Sequence, residues 1–89
     1  MSKIAELQQN YQDICAKYDE LYGDVEYQEL PEEGCALLIE KLEANLKLKE
    51  ATYDIRTFNR YYKPVLLQKI SVIRGRLASQ RFLQKKVKA

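Results

Sequence analysis

From the N-terminus, apolar residues fall at Ile4, Leu7, Tyr11, Ile14, Tyr18 and Leu21, alternately three and four apart. That spacing keeps one side of an α-helix apolar, and it predicts a first helix over about residues 3–22. Ser2 suits its N-cap and Gly23 a left-handed stop after it. The outer side carries Glu6, Gln9, Asp13, Lys17 and Glu20. A short acidic link, Asp24 to Leu30, follows, and a connection of that length makes the next helix an antiparallel neighbour. Pro31 suits a first helical position, where its missing N–H costs nothing, and Glu32 and Glu33 favour the positive end of the helix dipole. Gly34 is a mild flaw in that first turn.

From Pro31 the pattern predicts a second helix over about residues 31–63, and at 100° per residue it shows two apolar stripes instead of one. Leu37, Ala44, Leu48, Ala51, Ile55, Phe58 and Tyr62 line one side, and Ile39, Leu42, Leu46 and Tyr53 lie roughly opposite. The helix therefore has to be covered on both flanks. Helix 1 can cover only one of them. The other falls either to the C-terminal segment or to a second copy packed about a twofold axis, and the marginal size of a lone helical hairpin favours the second copy.

Lys63-Pro64 is expected to end the second helix, since proline lacks a donor and disfavours helical geometry before it. Leu66, Ile70, Ile73 and Leu77 then resume helical spacing, which predicts a third helix over about 65–78, weakened by Gly75. The strongly basic end, residues 79–89, is expected to fray without a partner. The fold class is thus all-α, one domain over residues 1–89: an antiparallel helical hairpin plus a third C-terminal helix, dimerising into a four-helix bundle.

Charge sharpens this picture. The net charge of the 89-residue chain is only +2. Residues 1–45 nevertheless hold three lysines against eleven acids, a net of −8, while residues 46–89 hold twelve Lys/Arg against Glu50 and Asp54, a net of +10. Such polarity points to a polyanionic partner or to self-complementary packing, and both readings stay open. No apolar run approaches the roughly 20 residues of a membrane span and no signal pattern opens the chain, so the expected location is the cytoplasm, with no membrane partner.

Catalysis is not expected. The chain has no histidine, which removes imidazole general-base chemistry and the commonest metal ligand. Cys15 and Cys35 have no partner motif and read as buried free thiols, not as a disulfide framework or zinc site. No phosphate-cradling glycine loop occurs. Hence neither a cofactor nor a metal nor a small-molecule substrate is expected.

The better lead is the edge of the second helix between its apolar stripes. One side carries Glu40, Glu43, Glu50 and Asp54, joined by Lys47; the other carries Lys41, Asn45, Lys49, Thr52, Arg56, Asn59, Arg60 and Lys63, with no acid. Lys41, Lys49, Arg56 and Lys63 recur at close to two helical turns, so on an unbroken helix they point the same way. Fixed cations suit phosphates, and the amide and hydroxyl groups of Asn45, Thr52 and Asn59 suit 2′-hydroxyls and the shallow minor groove of duplex RNA. The bland alternative is a solvated helix face kept basic for solubility. Rival functions are a protein-interaction adaptor using the acidic and basic halves, and a nonspecific DNA-binding bundle.

Three features resemble the small RNA-silencing suppressors of insect nodaviruses. Tyr27-Gln28-Glu29-Leu30-Pro31 is similar to that family's link between its first two helices. Lys49-x6-Arg56-x6-Lys63-Pro64 is similar to a series on its long second helix, and the opening Ser2-Lys3-Ile4-Ala5 is also alike. The resemblance covers roughly residues 1–64. It implies a homodimer whose paired second helices lie along double-stranded RNA, long duplexes and short interfering duplexes alike. It also implies sequence-independent shielding of that RNA from host RNA interference in the host cytoplasm. By position, Lys49 and Arg56 would be the principal phosphate contacts and Lys63 an outer one, with Lys41, Lys47 and Arg60 as further candidates. Leu38 stands where the family carries another arginine, leaving Lys41 as a substitute, and the segment after Pro64 has no clear counterpart.

Overall fold

The computed structural model describes the backbone of residues 2–88 and the side chains of residues 2–82. Helix α1 spans Lys3–Tyr22 and α2 spans Glu32–Thr52, joined by a link whose middle is a 3₁₀ turn, Tyr27–Glu29. A third rod, here α3, occupies residues 55–88: an opening α-turn Ile55–Thr57, a π-turn Phe58–Tyr62 and an α-helix Lys63–Lys88. Among the described residues the fold is all-α.

The start of α1 is set as its sequence implies, with the Ser2 hydroxyl accepting the Ala5 N–H at 3.2 Å. Gly23 ends it differently: its backbone is right-handed helical, φ −57° and ψ −34°. A glycine is needed there for room, because a Cβ would run into the carbonyl of Asp19. Pro31 is the N-cap of α2, one residue earlier than its expected place inside the helix. Gly34 is buried, and a Cβ on it would sit 3.0 Å from Leu30, 3.2 Å from Pro31 and 3.3 Å from Tyr22. What looked like a flaw in the first turn of α2 is where the end of α1 and the link close upon it.

The expected single helix over 31–63 is broken at Tyr53 and Asp54, whose backbones are extended with ψ of 157° and 155°. Thr52 turns its hydroxyl onto the Leu48 carbonyl at 2.8 Å, a bond that competes with the helix, and Asp54 occupies the N-cap position of the next turn. Pro64, conversely, does not end a helix. In the π-turn before it the Lys63 N–H reaches back five residues to the Phe58 carbonyl, which absorbs the lost donor and ring clash of proline inside a continuing rod. The rod then runs to Lys88, past the expected limit of residue 78, in a stretch rich in good helix formers. Ala89, the last residue of the basic end, lies outside the described residues.

α1 and α3 pack on different sides of α2 and hardly touch each other, which gives an elongated body of 48 × 28 × 21 Å. The α2–α3 pair is antiparallel: Glu32 meets Arg81, Glu43 meets Arg74, and Tyr53 meets Tyr62. Its core joins Leu30, Cys35, Ile39, Ile70, Ile73 and Leu77, with Tyr18, Tyr22 and Val25 against its edge. The second apolar stripe of α2 is thus covered within the chain by α3, where a second copy was favoured. Cys35 is fully buried, as a free thiol in a core usually is, but Cys15 is only half-buried. No residue of α1 is buried, and Ile4 and Leu21 at the two ends of its seam are exposed.

Candidate nucleic-acid interface

The break at Tyr53–Asp54 divides the cationic edge between two helices. On α2, Lys41 and Lys49 lie two turns apart, with half-buried Asn45 between them. The Lys41 ammonium sits 4.9 Å from the Tyr18 ring centre, and that of Lys49 sits 4.7 Å from Tyr62 and 5.2 Å from Tyr53. Aromatic faces attract cations, so both lysines are held in place against these rings. Thr52 is exposed, although its hydroxyl is already engaged by the Leu48 carbonyl. Beyond the break, Arg56, Asn59, Arg60 and Lys63 are exposed on the first turns of α3, Arg60 stacking 5.5 Å over Tyr61. Lys47 is exposed on the acidic side of α2, in helical phase with Glu40 and Glu43.

Where the two parts meet, Tyr53 and Tyr62 have their ring centres 4.6 Å apart. Hydrogen bonding to Tyr53, with some loss of hydration, holds the Tyr62 phenol above the usual tyrosine pKa. Glu50, Tyr53, Ile55, Phe58, Asn59 and Lys63 line the hollow beside this junction. Lys63 therefore shares its surroundings with one acid. A single straight row of cations, the arrangement inferred from helical spacing, is not what this fold presents.

The basic half divides cleanly in another way. Arg76 forks onto the Tyr27 carbonyl, the Gln28 carbonyl at 2.9 Å and the Leu30 carbonyl at 3.1 Å, with its guanidinium 4.7 Å over the Tyr27 ring. Arg74 pairs with Glu43 at 3.0 Å and Arg81 with Glu32 at 2.7 Å. These three arginines serve the fold. Lys47, Arg56, Arg60, Lys63 and Lys69 are exposed and have no carboxylate partner among the described residues.

Lys69 is a cation that the sequence pattern did not single out. It lines an open groove of about 550 Å³ between α2 and α3, with Tyr27, Leu38, Leu42, Val65, Gln68, Val72 and Ile73. Its signal was the placement of Lys69 between Val65 and Val72 at helical spacing, legible only once α3 is known to lie beside α2. The tyrosines that hold Lys49 were likewise visible only as candidate core residues.

Among the described residues, no group of three or more His, Cys, Asp and Glu is placed to hold a metal ion. Nor is any helix among them long and apolar enough to cross a membrane. Comparison with protein-family models, with curated proteins and with solved structures returns no match.

Proposed function

We propose that this chain binds double-stranded RNA without regard to sequence, acting as a homodimer that shields the duplex from host RNA interference, in the manner of a viral suppressor of RNA silencing. One observation carries the reading: after the arginines that tie α3 to α2 and to the link are set aside, Lys47, Arg56, Arg60, Lys63 and Lys69 remain exposed with no carboxylate paired to them among the described residues. Phosphates would be met by Lys41 and Lys49 on α2 and by Arg56, Arg60 and Lys63 across the bend, with Asn45 and Asn59 near enough in helical phase to reach sugars. Binding of this kind is stoichiometric and needs no catalytic group. Half-covered α1, with exposed Ile4 and Leu21, supports a dimer, since a second copy would remove apolar surface that one chain leaves wet.

The rival is a protein-binding adaptor, favoured by the apolar groove between α2 and α3. Its charge argument is weakened, because the acidic and basic halves already meet inside one molecule. A gel-shift series with duplex RNA, duplex DNA and single strands separates these readings: an A-form reader prefers the first. The double variant Lys49→Glu/Arg56→Glu is expected to weaken duplex binding by about a hundredfold or more while the helical circular dichroism stays unchanged. Unchanged affinity refutes the site, and equal binding to all three nucleic acids refutes the duplex-RNA assignment.

A further inference from the structure

From Pro64 onward α3 has an outward side that the core does not use. Leu66, Ile70, Ile73 and Leu77 are buried; at 100° per residue, roughly 160° of arc opposite them carries no charged residue as far as Phe82. The bulky members of that arc are wet. Leu67 is 43%, Val72 58% and Phe82 65% exposed, and the positions between them are neutral and mostly small, among them Ser71, Gly75 and Ala78. A Cβ on Gly75 would meet nothing within 4 Å, so no other part of the described chain lies over the middle of this side.

Cations stand along both borders of the arc. In helical phase, Lys63, Arg74 and Arg81 mark one border and Lys69 and Arg76 the other, and residues 55–89 hold ten Lys/Arg with no acid among them. Arg74 and Arg81 each give one nitrogen to a carboxylate of α2, yet both side chains stay well exposed. An uncharged crest with basic borders is the pattern of a helix lying in the plane of a membrane interface: its apolar groups enter the edge of the acyl layer, and the flexible basic stems beside them reach the headgroup phosphates.

We propose that the outward side of α3 docks on an anionic lipid bilayer, with Leu67, Val72 and Phe82 inserted and Lys63, Lys69, Arg74 and Arg81 at the level of the headgroups. Charge and shape decide among occupants. A second copy would bring the same acid-free helix to this side, and the two would repel. A nucleic acid offers phosphates to the borders but lays a charged, hydrated backbone over Leu67, Val72 and Phe82. A partner helix is received by a groove, and this side is the convex crest of a single helix. Only an anionic bilayer meets both the apolar crest and its basic borders. No helix among the described residues is long and apolar enough to cross a membrane. The expectation of no membrane partner rested on that criterion, which a helix lying flat does not have to meet. Docking goes beyond the RNA reading and shares only Lys63 with it.

The test is flotation of the full chain with vesicles of phosphatidylserine and phosphatidylcholine in equal parts, and with vesicles of phosphatidylcholine alone. Binding to the mixed vesicles is expected to be at least about tenfold tighter than to the neutral ones and to weaken as salt rises. Leu67→Ser/Val72→Ser/Phe82→Ser alters no buried residue, and it is expected to weaken vesicle binding by about tenfold or more while the melting temperature and the duplex-RNA gel shift stay unchanged. The chain has no tryptophan, so Phe82→Trp supplies a single fluorescent reporter. Its emission is expected to shift to the blue on adding mixed vesicles and to be quenched by lipids brominated in their acyl chains, and to ignore inorganic phosphate. Lipid docking is overturned if the chain fails to float with mixed vesicles, if the triple serine variant floats as well as the natural chain, or if the Phe82→Trp indole stays unquenched. A blue shift that grows with protein concentration alone also overturns it in favour of a second copy, and one produced by duplex RNA alone does so in favour of nucleic acid.

Discussion

At the scale of single residues, Arg76 does more for the fold than its place on a basic helix suggests. Its planar fork serves the carbonyls of Tyr27, Gln28 and Leu30, in a link that has few other backbone bonds of its own. The Leu30 carbonyl also takes the Gln80 side-chain amide at 3.4 Å, and the Cys35 thiol lies 4.0 Å away. Arg76→Ala is expected to cost about 2 kcal/mol in chemical denaturation, because it leaves these acceptors short of a charged donor. Arg76→Lys should recover little of it, a point charge being unable to serve a fork. The glycines make a paired prediction. A Cβ at Gly75 meets nothing within 4 Å, so Gly75→Ala should stabilise by about 0.5–1 kcal/mol through helix propensity. Gly34→Val, pressed between Leu30, Pro31 and Tyr22, should destabilise by about 1–3 kcal/mol.

At the scale of elements, the tyrosines give the fold a pH limit on its alkaline side. Tyr11 and Tyr18 have their ionisation pushed up chiefly by burial, Tyr11 also by the neighbouring Cys15 thiol, and Tyr62 is pushed up chiefly by Tyr53. Above the ordinary tyrosine value of about 10 the unfolded chain releases protons that the folded chain retains, so the stability these groups contribute is intact below that pH and is lost as pH rises through their raised values. Thermal melts are expected to fall steeply above about pH 10, and Tyr62→Phe should lessen the fall. Reading these elements from sequence succeeded where a local signal agreed with the tertiary outcome: the seam and Ser2 cap gave α1 its limits, and the short link gave the antiparallel α1–α2 pair. It failed at Tyr53–Asp54 because the apolar stripe there keeps its phase, so periodicity is blind to the bend, and Asp54 makes no side-chain capping bond in the turn that follows. It failed at Pro64 for the opposite reason, since a π-turn lets a loud breaker stay inside a rod. Residues such as Lys69 could not be placed before the partner helix was known.

At the scale of the whole molecule, the two explanations offered by the −8 and +10 halves can be assigned to different side chains. Part of the basic half is used in self-complementary packing through Arg74 and Arg81, both ion pairs well exposed to solvent. Arg74→Gln should therefore lower stability by less than about 1 kcal/mol and leave duplex binding unchanged. Arg56 and Lys63 are exposed with no carboxylate paired to them among the described residues, so removing their charge disturbs no ion pair of the fold. Arg56→Glu/Lys63→Glu should keep the natural melting temperature while lowering RNA affinity. It should also flatten the salt dependence, because each cation withdrawn from a phosphate takes roughly 0.7–0.9 from the slope of log affinity against log salt. Measured side by side by melting and gel shift over a salt series, the two variants should dissociate the roles: one shifts stability slightly and binding not at all, the other shifts binding and its salt slope alone. If both lower stability equally and neither alters the slope, the exposed cations are a solvated helix face, and the proposed RNA site is lost with them.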